Sequence, residues 1–543
     1  MENAVVKRTE DCSTKTTRET NVPHIRDKTG VLIVGSSDET RISLNLNYET
    51  LKTLFETGDA SQLQDLGPDF VNAAMLLAQD FEKLLEENEI YSNRSGYNVD
   101  PSLELPPINI NLQACRRDKD YTLDPEIDIP EYLSKFSDNY LSIVQDVAKA
   151  LGTMNPECRI SVPIPVAAHE EARYIYRALE AFTKQTLDSS YFEIVLLANK
   201  PENSDLYEKH DTELTISEIN RFLSEHPEIT TRTHFVKFNP QTVSIGFIRA
   251  LLTDAILLRH YNRDLKDADH IICRADADII GLDKSYLENF LNLFAKFPKT
   301  DSFGGQLDWD PIAYCMNPYL FISSRLSTLL NTAFRIKNSN PPLGTCNFAF
   351  KASVYSVVGG YDPLMKTGED VDLDNRIISF RRGASNHTGI MYAGSKSRLY
   401  TSTRRAELAL KLGHCTAEQW SVAEFKAKDP EVRKNSQHLD LFSTALKSEN
   451  FTAEVEKLIN RTLQIYFPKE HGEKVSSTKQ AADLLQIKKI VTGYFNIDFI
   501  LNDNYSISIT DISGLIRKLI DYRKKALTVF SQRTGLFIPF RLS

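Results

Sequence analysis

The chain has 543 residues, enough for about two to four domains and a substantial core. Its 41% hydrophobic and 25% charged residues are ordinary for a globular protein, and the formal net charge of −9 argues against a nucleic-acid partner, which calls for a basic face. Seven cysteines stand far apart at Cys12, Cys115, Cys158, Cys273, Cys315, Cys346 and Cys415, with no C-x-x-C, so neither a disulfide framework nor a zinc site is expected.

The first twenty residues have no apolar core, so no signal peptide is expected. No run approaches the roughly 18–20 apolar residues that span a bilayer, which favours a cytoplasmic chain that meets any membrane only peripherally. Residues 1–28 are polar and read as a disordered tail. Residues 29–155 read as a mostly helical accessory region: Gly30–Gly35 is a short strand, while Ala73–Asn88 and Tyr132–Leu151 have helical apolar spacing.

The character changes near Arg159. Ile160–Val166 is a strand, Ala172–Thr186 a helix and Phe192–Ala198 a second strand, which together form a βαβ unit with a parallel pair. Ligands on such sheets bind at the carboxyl ends of the strands, here His169–Glu171 and Asn199–Asp205. A helix at Ser217–Glu225, a strand at Thr233–Phe238 and a helix at Val243–Leu258 carrying Gly246 and Arg249 follow.

Next comes His270–Gly281, HIICRADADIIG, an apolar strand running into Asp276-Ala277-Asp278. Two carboxylates one residue apart at the end of a buried strand repel each other and lose hydration. A divalent cation with an oxygen preference, or Arg274, is the expected compensation, against the plainer reading of a solvated acidic turn. Beyond it, Ser285–Phe297 is a helix, Ser302–Leu307 a strand marked by glycines, and Trp309 an aromatic that could stack on a sugar or fill a core. Gly359-Gly360 reads as a turn needing positive φ. Glu369-Asp370 opens a helix whose apolar face is Val371, Leu373 and Ile377, with Asp372 and Asp374 on the solvent side. From Glu407 onward the spacing is helical, through Leu439–Leu446, Val455–Tyr466, Ile487–Leu501 and Ile512–Leu527.

Six features in order resemble the family 2 glycosyltransferases: the strand-end turn Pro165–Glu171, Gly246 shortly before Arg249, Asp276–Asp278, Gly344–Phe350, Gly359–Asp362 and Glu369-Asp370. The resemblance covers about residues 159–405 and implies a GT-A type, Rossmann-like α/β domain over residues 156–406. Its central mixed sheet would be flanked by helices, with largely helical N- and C-terminal accessory regions, the latter at residues 407–543. It further implies metal-dependent transfer of a sugar from a nucleotide-diphosphate-sugar donor to an acceptor hydroxyl. That acceptor could be a glycan, a lipid-linked sugar or a small molecule.

By the same resemblance Asp278 is the metal ligand for Mn²⁺ or Mg²⁺, and Asp276 contacts the ribose or a metal-bound water. Pro165, His169 and Glu171 would cradle base and ribose, with Asn199 or Asp205 beside them, and Arg249, Arg404 and Arg405 would approach the phosphates. Asp370 would be the general base of an inverting attack, with Glu369 helping to hold the acceptor, and His387 a possible late metal ligand. The chain departs from the family pattern at His169, at the extra residue Cys346 and at Asn199-Lys200-Pro201, and it has no Q-x-x-R-W. Two competing functions are a non-catalytic sugar or nucleotide binder on a decayed transferase core, and a phosphatase of the haloacid dehalogenase type.

Overall fold

The computed structural model describes residues 32–34, 42–44, 107–108, 128–201, 206–238, 243–263, 270–330, 333–334, 346–366, 368–382, 388–393, 397–411, 441–467, 477–502 and 504–536. The chain divides into two units, Met1–Asn98 with Pro430–Asn435, and Val99–Asp429 with Ser436–Ser543. In the first, β1 (Leu32–Val34) pairs antiparallel with β2 (Ile42–Leu44); Ala73–Asn88 lies outside the described residues.

The second unit is built on an eight-stranded sheet. Its strands are β3 (Pro107–Ile108), β4 (Ile160–Ala167), β5 (Phe192–Pro201), β6 (Thr231–Phe238), β7 (Ile271–Arg274), β9 (Thr300–Gly304), β11 (Phe348–Lys351) and β12 (Thr388–Tyr392). The order is β12-β9-β11-β7-β4-β5-β6-β3, with β11 antiparallel to both neighbours and every other pair parallel. Strands β8 (Ile279–Leu282), β10 (Gln306–Trp309) and β13 (Arg398–Thr401) form a second, three-stranded sheet in the order β10-β13-β8. The single strand expected at Ser302–Leu307 is thus two strands, parted at Gly305, where a Cβ would collide with Asn347 and the Ser397 carbonyl. This is a mixed α/β fold, as the sequence led one to expect.

Strand periodicity divides the core. Ile194, Leu196 and Ala198 of β5 join one cluster, while Val195 and Leu197 join the cluster on the opposite face. The first face is covered by helices α3 (Ile175–Thr183), α4 (Leu206–Glu225) and α6 (Tyr286–Lys296), which present Leu179, Phe222 and Phe290. The second is covered by α1 (Ile129–Ser134), α2 (Asp138–Leu151) and α5 (Ile245–Tyr261). Helix α5 is buried almost all round, and its Asp254 accepts hydrogen bonds from Tyr132 Oη and Tyr140 Oη at 2.8 and 2.7 Å. The helices before Arg159 therefore share the core of the sheet.

Strands leave β4 in both directions, so the β4/β7 boundary is a switch point, where open α/β sheets place their ligand crevice. Pro163 and Pro165 lack the N–H a ladder needs, and β4 pairs with β7 only through Ile160 and Ser161 while pairing with β5 along its full length.

Helices α7 (Pro311–Met316), α8 (Pro318–Leu330), α12 (Phe442–Lys447), α13 (Phe451–Tyr466) and α14 (Ser477–Ile490) bury a third cluster, and Trp309 packs against it. The helical spacing expected through Leu501 ends earlier. Asp498–Leu501 is strand β14, antiparallel to β15 (Ile507–Asp511), and Asn496 takes φ 62° to turn the chain out of the preceding helix. The last helix, α15 (Ser513–Thr534), returns to the first cluster. Phe530 lies against Gly281, where an added Cβ would stand 2.8 Å from its ring, and meets Tyr400 edge-on at 4.8 Å. Arg533 Nε pairs with Asp283 Oδ1 at 2.8 Å, so the final turn of α15 is fastened to β8 and β13.

Helices α9 (Ala352–Val357), α10 (Glu369–Arg382) and α11 (Arg404–Lys411) complete the description. Asp374 of α10 is not on the solvent side, as its spacing suggested. It is fully buried and takes Arg274 of β7 in a forked pair at 3.3 and 3.1 Å, with the guanidinium over the Phe348 ring. Burial lowers the Arg274 pKa, but the Asp374 carboxylate outweighs it and holds the group above its ordinary value. Asp374→Ala leaves that guanidinium buried without its partner and is expected to cost about 3–5 kcal/mol, while Arg274→Met with Asp374→Leu recovers most of the loss. Melting temperatures of the three proteins test this.

Candidate active site

The site is assembled at the carboxyl ends of β4 and β7. After β7 the chain passes Ala275 and Ala277, both buried, so it cannot drift into solvent, and the two acids between and after them face different surroundings. Asp276 is about one-third exposed at 35%, whereas Asp278 is nearly enclosed at 12%.

Strand β13 encloses Asp278. Its register against β8 shifts between Tyr400 and Thr401, and such a bulge re-aims the residues that follow. Ser402 donates its N–H to the Asp278 carbonyl at 3.0 Å and its hydroxyl to Oδ2 at 2.7 Å; Thr401 Oγ1 stands 3.4 Å from Oδ1. Arg404, opening α11, brings Nε to 3.2 Å from Oδ2.

The same guanidinium reaches Glu171, in the turn after β4, with Nη2 3.0 Å from Oε1, and packs over the Tyr174 ring. One arginine therefore serves two carboxylates. The other oxygen of Glu171, Oε2, is buried with no hydrogen-bond partner. Burial pushes the Glu171 carboxyl up to about 7, with Arg404 pulling the other way and Asp278 adding repulsion. Arg404 itself is lowered by burial but held well above its ordinary value by Glu171 and Asp278.

Asp276 is matched from α5. Arg249 Nη2 lies 2.5 Å from Asp276 Oδ1, and its Nε 2.9 Å from Glu369 Oε1. Burial pulls its pKa down, and Asp276 followed by other acidic neighbours more than restores it. The segment leading to Glu369 is set by Gly246 in the first turn of α5. Its N–H donates to the Met365 carbonyl at 3.1 Å, and a Cβ there would stand 2.4 Å from the Asp362 carbonyl oxygen. Gly368, at φ 74°, turns the chain into α10. Asp370 is half-buried next to Glu369, and its Oδ1 accepts the Val371 N–H at 2.8 Å.

The structure thus brings together seven expected residues: Glu171, Arg249, Asp276, Asp278, Glu369, Asp370 and Arg404. The compensation expected of Arg274 falls instead to Arg249 and Arg404, because Asp374 claims Arg274. Asn199 turns its amide into the sheet, donating to the Val166 and Leu197 carbonyls at 2.8 and 3.3 Å. Pro165 is a buried residue of β4, and His169 pairs with the adjacent Glu170 at 3.5 Å. The Arg405 side chain, Asp205, His387 and Gly344 lie outside the described residues. Sequence reasoning missed the hydroxyls of Thr401 and Ser402, though both stand within three residues before Arg404 in the same segment. Among the described residues no group of three or more His, Cys, Asp or Glu is arranged to hold a metal ion by itself.

No family model and no curated protein matches this sequence. Among solved structures, the chain is similar to S. aureus TarS 1-349 at 12% identity and a TM-score of 0.29, over 71% of this chain and 94% of the other. That protein was also solved in complex with UDP-GlcNAc, at 11% identity and a TM-score of 0.30. The mannosyltransferase PcManGT from Pyrobaculum calidifontis, in complex with GDP-Man and Mn²⁺, is similar at 14% identity and a TM-score of 0.30, over 72% of this chain and 94% of the other. Likeness of this degree decides nothing about chemistry, and the side chains described above carry the functional reading.

Glu171 offers a test of its surroundings. Between its ordinary value of 4.5 and about 7 the folded protein keeps a proton that the unfolded chain has released, so this group makes stability fall as pH rises through that window. Glu171→Gln abolishes the dependence. The difference in unfolding free energy is expected to move in favour of the variant by at most about 3 kcal/mol between pH 4 and pH 8, read from urea titrations.

Proposed function

We propose that this protein is a glycosyltransferase that moves a sugar from a nucleotide-diphosphate donor to an acceptor hydroxyl with inversion at the anomeric carbon. The observation that carries the reading is the convergence, at the switch-point crevice, of Asp276 and Asp278 from one strand end, Glu171 from another and Glu369-Asp370 from a helix start, joined by Arg249 and Arg404. A nucleotide diphosphate needs cationic and donor groups where negative charge grows on its leaving oxygen. Arg404 and Arg249 carry the cations, and guanidinium geometry suits phosphate.

The residues fit a hard divalent cation, Mn²⁺ or Mg²⁺. Their donors are all oxygen, Asp278 Oδ1 has only the long Thr401 contact, and Glu171 Oε2 is an uncompensated acceptor nearby. Asp278 would hold the ion with Asp276 in support, and a bound ion would neutralise the leaving diphosphate. Ser402 and Thr401 orient the Asp278 carboxylate. Arg249 joins Asp276 to Glu369, and the half-buried Asp370 stands next to Glu369 at the start of the same helix. Asp370 would take the proton of the acceptor hydroxyl as it attacks. Donor base, sugar and acceptor depend on groups beyond these.

Thermal shifts with UDP, GDP, dTDP and CMP, each with and without Mn²⁺, test the donor site. The matching nucleotide at a hundred times its Kd is expected to add about 2.7 kcal/mol, and Asp278→Ala to abolish the metal-dependent part. Asp370→Asn is expected to keep the shift while transfer falls by roughly 10²–10⁴-fold. A nucleotide shift in a protein for which no donor is ever turned over would favour the non-catalytic binder, and no shift at all would sink the donor site.

A further inference from the structure

Arg404 is placed where two different anionic partners would compete for it. Its Nε and Nη2 lie 3.2 Å from Asp278 Oδ2 and 3.0 Å from Glu171 Oε1, so one guanidinium neutralises the metal-ligand candidate and the strand-end acid together. A cation taking Asp278 would stand within a few ångströms of that guanidinium, and two positive groups so close repel strongly in an enclosed site. The arginine opens helix α11 directly after the Thr401–Thr403 segment, and its side chain is 24% exposed, so it borders solvent. Glu171 Oε2, buried and unpartnered, marks a position that no polar group of the protein fills.

We infer that Arg404 is an exchangeable counter-ion: it holds Asp278 and Glu171 while the crevice is empty, and it passes to the diphosphate when a divalent cation replaces it on those carboxylates. The inference rests on the reading of the crevice as a metal-assisted nucleotide-diphosphate site. Cation and arginine exclude each other at Asp278 in the absence of nucleotide, and cooperate once a diphosphate gives the guanidinium a new bidentate partner. Mn²⁺ alone therefore binds weakly, and nucleotide and metal bind with positive coupling.

The test uses the full chain and Mn²⁺, followed by loss of the free-ion EPR signal, with and without UDP or GDP. Arg404→Gln is expected to tighten binding of Mn²⁺ alone by roughly tenfold or more, and to reduce the nucleotide-induced gain in Mn²⁺ affinity by a similar factor. Arg404→Lys, which keeps the charge, is expected to bind Mn²⁺ alone as the wild type does. Asp278→Asn locates the ion by abolishing binding in every background. Unchanged or weaker Mn²⁺ binding by Arg404→Gln, with binding still lost in Asp278→Asn, would overturn the exchange while leaving the metal site standing. Equal tightening in Arg404→Lys and Arg404→Gln would also overturn it, since charge would not be the cause. Binding of Mn²⁺ by neither the wild type nor Arg404→Gln, with or without nucleotide, would overturn the site reading and the exchange together.

Discussion

The bridge that Arg249 makes between Asp276 and Glu369 is the constraint on which the rest of the site depends. Glu369 is buried, and removing an ion from water costs several kcal/mol unless it is paired, so its carboxylate depends on the guanidinium. The guanidinium is the right group for the task because its fork reaches two acceptors at once, Oδ1 of Asp276 at 2.5 Å and Oε1 of Glu369 at 2.9 Å. It comes from a helix that is buried nearly all round, so its own backbone cannot yield. Two segments almost a hundred residues apart in sequence are thereby held at one spacing, and Asp370 inherits its position from it.

A second arginine repeats the device one layer deeper. Arg274 and Asp374 join the same strand and the same helix below the surface, against Phe348. The upper pair borders solvent through Asp276, which is about one-third exposed, whereas the lower pair is sealed. On the opposite flank, the hydroxyls of Thr401 and Ser402 and the guanidinium of Arg404 come from β13 and the turn after it, whose back is fastened by Phe530 and Arg533 of the final helix. The C-terminal helix thus supports the strands that hold Asp278.

Much of this was legible in the chain. The short apolar strands Ile160–Val166 and Phe192–Ala198, with a helix between, pointed to a parallel pair, and parallel strands put their ligands at the carboxyl ends. Strand length and apolar spacing located β7 and the acids that follow it. The helical reading through Leu501 failed because a short apolar run is compatible with either period, and only pairing with Ile507–Asp511 settled it as strand. Asp374 was misassigned for a related reason: spacing tells which residues share a helix face but not which other charge that face meets.

By itself, then, the sequence determined the strands and helices around the site, where β4 and β7 end and which acids stand at those ends, because these follow from periodicity and the chemistry of neighbouring residues. Tertiary structure alone decided the partners. That Arg249 rather than Arg274 compensates Asp276, that Arg404 is shared by Asp278 and Glu171, and that Asn199 serves the sheet are consequences of distances across the fold. Ion pairs and hydrogen bonds depend on separations of a few ångströms between residues far apart in the chain, and no local pattern encodes those separations.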